Sequence, residues 1–101
     1  MTENRNELAE MLKSYDMDLR AAIQNNTLDE FMESALEVQT VKINDEVAGV
    51  RVLLAFGGPN IWLDTDLLEL RGYWAGQEEH LPLMSDECAE VNAYFDYLAE
   101  E

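Results

Sequence analysis

The chain reads as an α+β domain: two N-terminal helices, a four-stranded antiparallel meander, and one C-terminal helix packed on the sheet. Three observations predict this. Apolar residues recur at three- and four-residue steps up to Leu36, the period of a helix face. The period then falls to two, with turn signals between the runs, as far as Trp74. It returns to three and four after Ser85. A length of 101 residues fits one domain spanning 1–101.

The first helix is marked by Leu8, Met11, Leu12, Tyr15, Leu19, Ala22 and Ile23. Thr2 or Asn4 can cap it, and Asn4 with Glu7 has capping-box spacing. Asn25-Asn26 ends it. Thr27-Leu28-Asp29-Glu30 reads as a second capping box, opening a short helix with Phe31, Met32, Ala35 and Leu36 on its apolar face.

Val41 and Ile43, alternating with Thr40 and Lys42, mark the first strand. Asn44-Asp45-Glu46 is a polar turn. Val50, Val52, Leu54 and Phe56 share one face of the second strand, while Arg51, Leu53 and Ala55 take the other. Gly57-Gly58-Pro59-Asn60 is the strongest turn signal. Ile61–Asp64 is the third strand, and the fourth alternates from Leu67 to Trp74. Gly76-Gln77-Glu78-Glu79 reads as a loop. Ser85 caps the last helix, Asp86 and Glu87 fill its first turn, where the helix dipole favours acids, and Val91, Tyr94, Phe95 and Leu98 form its buried stripe. Short connections favour hairpins over crossovers.

Charge is the feature that bears on function. Asp and Glu number 22 against 6 Lys and Arg, a formal charge of −16. Self-repulsion on this scale destabilises a compact chain. A hydrophobic content of 48% argues against disorder as its cause. Solubility alone needs only about 2–8 charges on a small domain. Nucleic acid and anionic lipid would both be repelled. The polar start of the chain lacks a signal region, and no apolar run approaches a membrane span. The single Cys88 forbids an internal disulfide and fits a reducing cytoplasm.

Catalytic and metal chemistry find no support. His80 and Cys88 are the only His and Cys, and cysteine-protease or zinc chemistry needs further partners. Asp64-Thr65-Asp66 begins like a calcium loop, but Leu68 and Glu69 occupy a ligand and the glycine position. The Gly57–Asn60 turn lacks the lysine and following helix of a phosphate loop. The chain is therefore expected to be non-enzymatic, without cofactor or metal.

The acids themselves are the candidate site. On the first helix Glu3, Glu7, Glu10 and Asp18 avoid the apolar stripe. Carboxylates at such steps lie ~5–6 Å apart, close to the phosphate spacing along a strand that rises ~3.4 Å per nucleotide. Asp45 and Glu46, Asp64 and Asp66 with Glu69, and Glu78 with Glu79 add clusters at the sheet turns. Trp62, Tyr73 and Trp74 complete the candidate set, because strand alternation places at least one large ring off the core face, where it can anchor a partner.

In size, charge and order of elements the chain resembles the small acidic anti-CRISPR proteins of phages and mobile elements that act as nucleic-acid mimics. The segments Gly57-Gly58-Pro59-Asn60-Ile61-Trp62-Leu63-Asp64-Thr65 and Arg71-Gly72-Tyr73-Trp74 are similar to ones in uncharacterised phage and plasmid proteins. Those inhibitors share no common motif, so the resemblance carries over no residue role. It implies an inhibitor of a basic nucleic-acid-binding protein, with a CRISPR effector complex as target, inside the bacterial cytoplasm. An immunity protein or antitoxin blocking a basic nuclease, and a small structural or regulatory domain, are the competing expectations. Oligomeric state is left open.

Overall fold

The computed structural model describes residues 7–99, with side chains through Asp96. The proposed caps at Thr2 and Asn4, the acid Glu3 and the side chain of Leu98 fall outside these residues. The order is α1 (Glu7–Asn25), α2 (Leu28–Met32), β1 (Glu37–Ile43), β2 (Glu46–Ala55), β3 (Asn60–Asp64), β4 (Glu69–Trp74), β5 (Gln77–Pro82) and α3 (Ser85–Ala99). All five strands form one antiparallel sheet in chain order.

The α+β class stands, with two corrections. A fifth strand, β5, occupies the stretch read as a loop. Ala75 and Gly76, both at positive φ (53° and 80°), make the tight two-residue hairpin that returns the chain alongside β4, with a twist that suits antiparallel strands. Asn44 and Asp45 (54° and 70°) build the β1–β2 hairpin in the same way. The second N-terminal helix is only one turn of five residues. Ala35 and Leu36 lie beyond it, and Leu36 N–H already donates to the Leu53 carbonyl at 2.8 Å.

Two caps also differ from expectation. Thr27 sits at the N-cap of α2, but its side chain makes no capping bond. At α3 the cap lies one residue earlier than Ser85: Met84 N–H donates to Glu87 Oε1 at 2.9 Å, the reciprocal half of a capping box. The end of α1 is as expected. Asn26 adopts φ 58°, Thr27 N–H reaches back to the Ala22 carbonyl at 2.8 Å and Asn26 N–H to that of Ile23 at 3.3 Å. This Schellman turn folds α2 back beside α1.

Register explains the core. Val52, Leu63, Leu70 and Leu81 lie opposite one another across four strands, and paired residues share a face. Leu12 and Leu19 of α1, Met32 of α2, and Cys88 and Val91 of α3 pack on that face. At Gly72 α1 lies close against the sheet: a Cβ there would lie 2.7 Å from Leu8 Cδ1. Thr65 fastens α3 to the sheet by accepting from Val50 N–H at 2.9 Å and donating to Asn92 Oδ1 at 2.8 Å. The result is a helical layer on one side of the sheet, with the other side carrying its own polar rows.

Candidate functional site

Alternation sends Leu53, Trp62, Arg71 and His80 to the face opposite the core, in one row across β2 to β5. Arg51, Asp64 and Glu69 form the next row, and Asn60, Tyr73 and Glu78 a third. This brings five expected site residues together: Trp62, Asp64, Glu69, Tyr73 and Glu78.

Their chemistry is internal. Asp64 is 0% exposed. Its Oδ2 accepts from Arg51 Nε at 3.0 Å and Arg71 Nη2 at 3.1 Å, and its Oδ1 accepts from Leu67 N–H at 3.1 Å. The expectation that Asp64 offers its charge to a partner is corrected: two guanidinium groups and a turn amide consume it. Glu69 Oε2 lies 3.5 Å from Arg71 Nε and 3.1 Å from His80 Nδ1. Glu78 Oε2 lies 2.6 Å from His80 Nε2. Hydrogen bonds to Glu78 and then Glu69 raise the His80 pKa above 6.5. The outer sheet face is thus a charge-compensated network.

The remaining expected residues scatter. Asp45 and Glu46 are exposed at the β1–β2 hairpin, and Asp66 is half-buried in the β3–β4 turn. Glu79 and Trp74 point to the core side of the sheet and are half-buried. Glu7 and Glu10 are exposed on α1, Glu10 lying 3.8 Å from Lys13. Trp62 and Tyr73 are half-buried on the outer face. Tyr73 and Trp74 also border a cleft of about 360 Å³ between the turns at Gly58 and Gly76.

Acids that the sequence reading passed over fill the helical layer. Asp29, Glu30 and Glu33 lie on and just after α2, and Glu90 and Asp96 join Asp86 and Glu87 on α3; neither element carries a cation. Among the described residues, no Lys, Arg or His comes within ion-pair distance of Asp18, Asp29, Glu30, Glu33, Asp86, Glu90 or Asp96. The described arginines are committed elsewhere: Arg51 and Arg71 to the sheet, and Arg20 to Asp16 at 3.2 Å and Glu87 at 3.3 Å. Glu37, Asp45, Glu46, Asp66 and Glu79 of the sheet and its turns likewise have no ion-pair partner among the described residues. The helical layer differs in that none of its acids on α2 and α3 has a cation on its own element.

Asp16 and Glu87 are a separate finding. They are 9% and 6% exposed, and share Arg20 at the α1–α3 contact. Burial, followed by the hydrogen bond with Asp16, raises the Glu87 pKa above 4.5. Spacing could have located Asp16, four residues after Leu12 and three before Leu19, within the buried stripe.

Cys88 is buried in the core, and desolvation, with Glu87 and Asp64 nearby, pushes its thiol up to about 11. It cannot supply a thiolate near neutrality, and His80 lies on the opposite face of the sheet. Among the described residues, no group of three or more His, Cys, Asp or Glu is placed to hold a metal ion. None of the described helices is long and apolar enough to cross a membrane. No protein-family model, curated protein or solved structure matches the chain.

Proposed function

We propose that the protein is a non-enzymatic inhibitor that occupies a basic nucleic-acid-binding surface of another protein, with a CRISPR effector complex as its target. The observation that carries this reading is the set of exposed carboxylates on the helical layer that have no cationic partner. The described arginines are spent within the sheet and at the α1–α3 contact and Lys13 lies beside Glu10, which leaves Asp18, Asp29, Glu30, Glu33, Glu90 and Asp96, on the helices and just after α2, without cationic partners among the described residues. A surface of unpaired carboxylates accelerates encounter with a basic channel and competes there with phosphates. Location in the bacterial cytoplasm belongs to the same proposal.

The test presents the immobilised protein with a CRISPR effector complex, a basic nuclease, and a basic protein that binds no nucleic acid. Retention of the effector complex, reversed by duplex DNA, is the expected result. Failure to retain it, or retention that DNA does not disturb, overturns the reading.

A further inference from the structure

Resting on that reading, we infer that the groove between α1 and α2 receives an arginine side chain of the basic partner. The groove is shallow and open to solvent, with a volume of about 360 Å³. Its origin is local. The Schellman turn at Asn26 returns the chain beside α1, and Ala21 and Ala22 leave the space between the helices unfilled. Tyr15 on α1 and Phe31 on α2 supply half-buried aromatic walls, and the exposed carboxylates of Asp18 and Glu30 border the opening, one from each helix.

This combination selects its occupant. An aliphatic stem suits the alanines, since arginine buries its methylenes along apolar surface while its head stays polar. A planar guanidinium stacks on aromatic faces and donates to carboxylates at the same time; a lysine ammonium has no plane to stack. Neither carboxylate has an ion-pair partner among the described residues, and no cation lines the groove. Asp29 and Glu33, also on this short segment, deepen the local negative potential. An anionic or purely apolar occupant would leave Asp18 and Glu30 opposed or unsatisfied.

Binding of labelled nona-arginine and nona-lysine peptides, followed by fluorescence anisotropy at low salt, tests the inference. Ala21→Arg places the chain's own guanidinium at the groove. Gln39→Arg makes the same charge change on exposed β1. The inference predicts that Ala21→Arg weakens nona-arginine binding about tenfold, equivalent to roughly 1.4 kcal/mol. Gln39→Arg should change it less than about twofold, within the range of a screened surface charge. Nona-lysine should bind the wild type more weakly than nona-arginine. In the unmodified protein, nona-arginine should shift the amide resonances of Tyr15, Asp18 and Phe31, a readout that needs no variant to fold. Equal losses for the two variants, with no such shifts, overturn the groove assignment and leave charge mimicry standing. Absence of binding by either peptide overturns both.

Discussion

Arg71 Nη2 donates to Asp64 Oδ2 across 3.1 Å, and the carboxylate it meets is inaccessible to solvent. Arg51 approaches the same oxygen from the neighbouring strand. An acid in one of the expected acidic clusters is therefore part of the sheet's internal chemistry. Replacing one member of a buried pair leaves the other charged and desolvated. Asp64→Asn should cost about 3 kcal/mol of stability, read from the midpoint of urea unfolding. Its affinity for a basic partner, measured where the variant is folded, should match the wild type. An unchanged midpoint would contradict the pairing.

Glu87 gives a second prediction, in pH. Its folded pKa lies above 4.5 because burial and then Asp16 disfavour its charge. The native state then holds a proton that the unfolded chain has released, so stability falls as pH rises from 4.5 through the folded value. Glu87→Gln imitates the protonated form and keeps an acceptor for Met84 N–H. The variant should melt at or above the wild-type temperature at pH 7. Its stability should also depend less on pH in the acid range. A wild-type slope of the opposite sign there would contradict the burial argument.

His80 titrates in another window. Glu78 and Glu69 hold its proton, so the folded pKa exceeds 6.5. Its contribution is complete below 6.5 and is lost as pH rises through the folded value. Proton chemical shifts of the imidazole should place its midpoint above 6.5, and Glu78→Gln should lower it. A midpoint at or below 6.5 would show that the contacts at 2.6 and 3.1 Å do not persist in solution.

Two glycines separate a rigid contact from a yielding one. A Cβ at Gly49 would meet Thr65 Oγ1 at 2.5 Å and the Asp66 backbone nitrogen at 2.9 Å. At Gly72 the nearest obstacle is the end of the Leu8 side chain, which can rotate. Gly49→Ala should cost about 2–3 kcal/mol and Gly72→Ala about 1 kcal/mol, within the range for overpacked cores. Thermal melts compare them directly, and the reverse order would contradict the packing.

The legible parts of this fold were those fixed by local pattern. The stripe Leu8, Leu12, Leu19 and Ala22 is buried as the helical period requires, and Asn26 ends α1 in the left-handed conformation that asparagine tolerates. The strand β5 was not legible, because Gln77-Glu78-Glu79-His80-Leu81-Pro82 has little strand propensity. Pairing with β4 and packing against α1 impose it. At Asp64 the acid was visible but not its partners. Alternation places Asp64, Arg51 and Arg71 on one side of their strands, yet only the register brings the two arginines to one oxygen. The acids of α2 and α3 were visible as residues, while their lack of cations depends on where the arginines point.

We propose that carboxylates without cationic partners on the helical layer compete with nucleic acid for a basic partner. The most direct measurement is displacement of labelled DNA from a CRISPR effector complex as salt rises from about 50 to 500 mM, a range over which the Debye length shrinks well below ~10 Å. Wild type is compared with a variant carrying Asp18→Asn, Asp29→Asn, Glu30→Gln and Glu33→Gln. The wild-type protein should displace DNA, its affinity for the complex should fall steeply with salt, and the variant should bind weakly with a shallower slope. Salt-independent affinity, or a folded variant that displaces DNA as well as the wild type, would contradict it.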